Sequence, residues 1–328
     1  MSPIGYAVPA TPPPPRVPLW RGVGLRWESP DGSVWQLRAD SQSGVLMQAG
    51  VRGLTEPQRE VFTTETAGTD GAQWLGSRAL SREVFWPIVV WKDTTSAEWL
   101  DYDAAWWRSL DPEVPGRWVA THPSGTERHL LLRFVDDGDA SWDVAPGSRG
   151  WSRYGLRMLA VDPYWRGEQV ARSWSGVADS GESFFGTGGP PFTISKGSTL
   201  ASAEVTNDGD VEAHPTWWVQ DVPSADLTVG SGLIEVPAVA ADKLLVIDSD
   251  PAALSAIEVD APPAGLSAVE REEWVDERLP TGLNRTTALG AGTTWGAIPA
   301  RGTTPLGISM VGDGAVTVRF TPRFRRAW

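Results

Sequence analysis

The chain has 328 residues, no cysteine, and 41 acidic against 28 basic side chains, for a net charge of −13. The missing thiols exclude disulfides, thiolate zinc sites and cysteine nucleophiles. The acidic balance excludes the basic footprint that a nucleic-acid grip needs.

The length fits about two domains. The longest uncharged apolar run, Val84 to Trp91, contains Pro87 and is too short to span a bilayer. The opening MSPIGYAVPATPPPPRVP has no basic-then-apolar leader, so the sequence reads as a soluble protein without an export signal. Its prolines at 3, 9, 12–15 and 18 predict an extended arm over residues 1–18. A hairpin follows, with Asp31-Gly32 turning between Trp27 and Val34. Residues 45–54 read as a strand region broken by glycines, and residues 60–91 as strand, glycine-rich loop, strand. Thr94-Thr95-Ser96 caps one helix, AEWLDYDAAWWRSL, which stops before Asp111-Pro112. Trp99, Tyr102, Trp106 and Leu110 form its apolar stripe, expected to lie on the chain's own sheet. Strands GRWVATH, ERHLLLRFV and GWSRYGLRMLAVDP complete the first half. Residues 171–198 read as a linker or crossing loop. Beyond it, short strands at close spacing predict an antiparallel sandwich or jelly roll. It is interrupted at 267–290 by a charged stretch, either a short helix or an exposed loop.

Several constellations have plainer readings. Asp136-Asp137-Gly138-Asp139 and Asn207-Asp208-Gly209-Asp210 look like pieces of calcium loops but lack the alternating ligands and the closing glutamate, so they read as turns. His122 and His129 flank a predicted hairpin turn and read as a cross-strand surface pair, not a metal site. Glu270, Glu272, Glu273, Asp276 and Glu277 crowd one short segment, which suits a solvated face better than a catalytic pair. No nucleophile elbow, phosphate loop or dinucleotide fingerprint is present. The unusual count is 19 Trp, and 13 of them lie at or before Trp165, which suggests buried contact surface beyond one core.

A set of short motifs, in order along nearly the whole chain, resembles the distal tail proteins of long-tailed bacteriophages, often labelled minor tail proteins in phages of actinobacteria. They are Trp35-Gln36-Leu37, Gly50-Val51-Arg52-Gly53-Leu54 with Pro57, and Ser81-Arg82-Glu83-Val84. Next come Trp106-Trp107-Arg108-Ser109-Leu110, Asp162-Pro163-Tyr164-Trp165, the 207–210 turn with Pro215, Val246-Ile247-Asp248 and the closing 322–328. The resemblance implies a mainly β chain of two β-sandwich-like domains. A ring-forming belt domain at 19–170 would carry one α-helix, and a galectin-like jelly roll would occupy 199–328. It implies a structural protein of the virion tail tip, assembled in the host cytoplasm, without cofactor or catalysis. That protein is a hexameric hub ring joining the tail tube to tape measure and tip proteins. DNA would pass through without specific binding. Large apolar anchors suit such a ring. Trp20, Trp27, Trp35, Trp86, Trp106, Trp107 and Arg52 are therefore expected at contacts between subunits or with partners. A second reading is a carbohydrate-binding tail module contacting the host surface, with Trp218, Trp274 and Trp295 stacking on sugar faces. A third, a tail hydrolase, lacks a recognisable carboxylate pair or metal set.

Overall fold

The computed structural model describes residues 22–38, 43–138, 144–175, 197–199 and 203–328. The proline-rich arm, Trp20 and most of the 171–198 stretch lie outside these residues.

In the first half β1 (Gly24–Glu28) and β2 (Val34–Gln36) form the expected hairpin around Gly32, whose φ is +85°. β3 (Ser43–Met47), β4 (Arg59–Thr64), β5 (Gln73–Ala79) and the long β6 (Arg82–Lys92) follow. Helix α1 (Ser96–Arg108) starts where Thr95 caps it, the hydroxyl accepting from the Glu98 amide. Then come β7 (Gly116–Thr121), β8 (Glu127–Asp136), β9 (Trp151–Ala160) and the short β10 (Trp165–Arg166). The sheet runs β2-β1-β7-β8-β9-β6-β3. It curls until its ends meet, with Leu37 beyond β2 accepting from the Met47 amide in β3 at 3.2 Å. Strand β6 shows why: Val84, Trp86, Ile88 and Val90 are buried inside, while Glu83, Phe85, Pro87 and Val89 point out.

The second half begins at β11 (Val170–Ser175), so residues 171–175 are strand, not linker. It continues through β12 (Gly197–Thr199), β13 (Glu204–Asn207), β14 (Thr216–Val222), β15 (Ser224–Val229), β16 (Gly232–Val236), β17 (Val239–Asp248) and β18 (Ser255–Asp260). The charged stretch is helical as α2 (Ala268–Arg278), held by a reciprocal cap between Ser267 and Glu270. β19 (Leu283–Asn284), β20 (Gly302–Val311), β21 (Ala315–Phe320) and β22 (Arg323–Phe324) end the chain. Two sheets face each other, β11-β21-β14-β17-β18-β19 and β12-β20-β15-β16, with β13 also on β20. Between them lies a core that includes Trp217, Val219, Leu227, Leu245, Ile247, Ile308 and Val318. Helix α2 covers the outer face of the first of these sheets, where Val275 and Trp274 pack with Trp218, Leu244, Val246 and Val259. The architecture is mainly β, as expected.

Strand β22 does not stay with the second core. It pairs with β10, Trp165 opposite Phe324, and Ala327 is buried in the first core. The last six residues, expected within the 199–328 sandwich, therefore complete the first half.

Candidate functional site

The first core is a stack of indoles. Trp27–Trp86, Trp86–Trp118 and Trp35–Trp106 meet edge-on at 5.3 to 5.4 Å, and Trp118–Trp165 meet tilted at 5.0 Å. Trp27, Trp86 and Trp106 are fully buried, and the Trp27 indole N–H donates to the Ser109 carbonyl. These three expected subunit contacts are instead internal: burying each one's large apolar area inside its own sheet leaves nothing for a neighbour. Trp35 and Trp107 are half-buried. Trp35 packs on Tyr102 and Trp106, and Trp107 on Phe134 and Tyr154. Of the described members of this set only Arg52 is exposed, its guanidinium lying over Phe85 at 5.2 Å. Close packing explains Gly116, where a Cβ would sit 2.3 Å from the Trp27 ring.

The seam between the halves is built from the C-terminal tail. Arg82, buried at the start of β6, donates to the carbonyls of Gly53, Thr55, Pro163 and Arg325. Burial pushes its pKa down to about 10, which leaves it cationic at neutral pH. Gly53, at φ +106°, also accepts from the Trp165 indole at 3.3 Å. On the other side, the expected 207–210 turn holds the tail. The Asp210 amide donates to the Arg323 carbonyl and its carboxylate accepts from the Arg325 amide. The buried Asn207 spends its side-chain amide on the carbonyls of Val211, Ile298 and Pro299 and its oxygen on the Gly209 amide, so it braces the turn.

A cleft of about 460 Å³ opens beside this seam, lined by Asp162, Arg166, Gln169, His214, Trp218, Asp248, Asp250, Glu272, Asp276, Arg319 and Arg323, among others. Arg319, nearly buried, lies 4.1 Å over the Trp218 ring and is clamped by Glu272 and Gln169, each at 2.5 Å. Burial raises the carboxyl pKa of Asp248 and of Asp276. Two expected sugar-stacking rings are thus occupied: Arg319 covers Trp218, and Arg278 sits 3.3 Å over Trp274. Trp295 is half-buried against the second core. A guanidinium fixed on a ring face takes the place a sugar's apolar face would need.

The histidine pair does not form. His122 closes the β7–β8 turn on Ser124, while His129 lies opposite Val119, further along β8. Among the described residues no group of three or more His, Cys, Asp or Glu is placed to hold a metal ion, and no helix is long and apolar enough to cross a membrane.

Sequence reasoning missed the exposed faces. Among the described residues the β4–β5 hairpin joins no other sheet, and it leaves Val61, Phe62, Trp74 and Leu75 exposed. The outward face of β6 and β9 leaves Trp151 exposed among arginines. In the hairpin the signal was there in the adjacent apolar pairs Val61-Phe62 and Trp74-Leu75, since neighbours in a strand point to opposite faces.

These features define a two-core β protein whose distinctive chemistry lies in surfaces and seams. Its fold is that of the Dit protein (gp 19.1) of phage SPP1, whose structure is described as a paradigm of the hub adsorption apparatus in phages infecting Gram-positive bacteria. The TM-score is 0.57 at 15% identity, covering 93% of this chain and all of that one. A chain of the phage p2 baseplate in its activated conformation with strontium matches with a TM-score of 0.50 at 8% identity, over 91% of this chain and 98% of that one. In sequence, the chain is 25% identical over 141 residues to minor tail protein Gp27 of Mycobacterium phage L5, and 25% identical over 142 residues to its namesake in phage D29. Each match spans 42% of this chain and 42% of the relative's own length. No family model matches. The resemblance to distal tail proteins read from the motifs is therefore carried by both fold and sequence.

Proposed function

We propose that this chain is a structural protein of a phage tail, a hub ring of six copies that joins the tail tube to tip proteins, and that its role is assembly and not catalysis. The observation that carries the reading is the Dit fold running through both cores, over 93% of the chain, together with the sequence likeness to mycobacteriophage minor tail proteins. The local geometry supports it. The rigid indole core gives a firm belt, and the tail-built seam fixes the second sandwich against it. The belt would be residues 19–169, and the outer sandwich would start at β11 and run to 322, with the tail returning to the belt.

Native mass spectrometry of the purified chain should give six times its own mass. Antibody labelling of intact particles should mark the end of the tail far from the head. A monomer at every concentration, together with labelling elsewhere on the particle, would overturn the proposal.

A further inference from the structure

We propose that the β4–β5 hairpin of one copy docks on the outward face of β3, β6 and β9 of a second copy of this chain. This deepens the ring reading and rests on it. The hairpin is an arm. Among the described residues its strands pair only with each other, yet isolated two-stranded hairpins are marginal in water. It exposes Trp74 and Leu75 by 61% each, Val61 by 52% and Phe62 by 41%, and none of the four enters a core. An apolar arm of this kind is a contact waiting for a surface.

The same molecule offers a matching surface. Opposed residues share a sheet face, and the register places Leu46, Val89 and Arg153 in one row, with Gly44, Trp91 and Trp151 in the next. Leu46 and Trp151 are exposed, at 36% and 38%. Val89, Trp91 and Pro87 are half-buried and outside every core.

Charge matches the arm to this face. Arg149 and Arg153 sit over the Trp151 ring at 4.5 and 5.4 Å and have no ion-pair partner among the described residues. Within the hairpin, Arg78 is paired with Glu60 and Arg59 with Ser77. That leaves Glu65 and Asp70 at its tip as carboxylates without an ion-pair partner among the described residues. An arm with apolar flanks and an acidic tip thus meets a face with aromatic rows and free arginines. The two patches are different, so the contact is heterologous and adds copies in one direction until rotation closes the ring.

The test uses the absence of native cysteine. Oxidising a full-length Gln73→Cys, Val89→Cys double variant should give a ladder of covalent multimers. An equal mixture of the two single variants should stop at dimers. Arg149→Glu with Arg153→Glu should raise the dissociation concentration about tenfold or more, and adding Glu65→Arg with Asp70→Arg should restore assembly. Circular dichroism and melting of each variant separate loss of contact from loss of fold. Disulfides confined within monomers, or multimers that form without cross-linking and ignore the charge reversals, overturn the contact while leaving the ring standing. A wild-type chain that stays monomeric at high concentration overturns both.

Discussion

Arg82 draws three separate segments together: the 53–55 loop, the bend at Pro163 and the C-terminal tail. A guanidinium suits this role because its fork of donors reaches several carbonyls at once, which an ammonium on a flexible stem does not. Arg82→Met should leave four carbonyls poorly satisfied and lower stability by about 2–4 kcal/mol in urea unfolding. Arg82→Lys should recover less than half of that loss. At His129 protonation sets the balance. Burial first, then Arg117 and Arg166, holds its imidazole pKa down at about 4, against an ordinary 6.5. The folded state keeps it neutral, with Nδ1 3.4 Å from the Arg117 guanidinium. The unfolded chain takes up a proton below 6.5, so stability is complete above that pH and is lost as pH falls through 6.5 toward 4. The loss reaches about 3 kcal/mol at most. His129→Gln should flatten this part of the stability profile. An unchanged slope between those two pH values would assign the acid sensitivity elsewhere.

At the scale of elements, β22 and the residues after it act as a latch. Phe324 lies under Arg128 at 3.6 Å, the Ala327 amide donates to Leu54, and the tail also bonds to the 207–210 turn. Deleting residues 323–328 should speed hydrogen exchange in β8, β10 and the 53–55 loop while leaving β14, β17 and β21 protected. Uniform exchange in both halves would show that the tail stabilises no particular one. For the same reason a fragment ending near Val170 lacks part of its own core, so assembly is better tested in the full chain.

How far these elements were legible follows from their causes. Helix α1, the 31–32 turn and the strand at β6 rest on local signals, and the sequence places them correctly. Trp217 and Trp218, adjacent on β14, point to opposite faces, one into the core and one under α2. The return of the tail was not legible, because a two-residue pairing across more than 150 positions leaves no periodic trace. The tryptophans misled for a related reason. Trp27, Trp86 and Trp106 look the same in sequence whether they face a neighbour or each other, and only the curl of the sheet decides.

Across the whole molecule, the two cores share a seam, and the chain passes from one to the other between β10 and β11. Limited proteolysis should cut first between about Arg166 and Ser198, a glycine-, serine- and proline-rich stretch. On the described part of it, β11 is paired with β21 and should resist, which leaves two expected positions, the passage at 167–169 between the units and the connection from β11 to β12 within the second sandwich. A first cut within 80–160 or 210–260 would contradict two units.

Charge over the whole chain bears on DNA passage. Arg16, Arg21, Arg26, Arg153, Arg157 and Arg166 form two groups in the sequence that resemble a phosphate track. Of these, Arg16 and Arg21 lie outside the described residues. Arg26 is held by Glu127, whose pKa falls to about 2, and by Glu28. Arg166 pairs with Asp162 at 3.0 Å, and Arg157 meets Asp136 at 3.5 Å. Arg153 lies over Trp151 on the face assigned to the neighbour's acidic hairpin tip. Arginines already matched to carboxylates release no counterions to a duplex, and a net −13 per copy opposes its approach. The assembled protein should therefore show no salt-sensitive DNA binding near physiological ionic strength in fluorescence anisotropy. Micromolar binding that weakens steeply with salt, and disappears when those six arginines become serine, would make a DNA track, and not carboxylate pairing, their role.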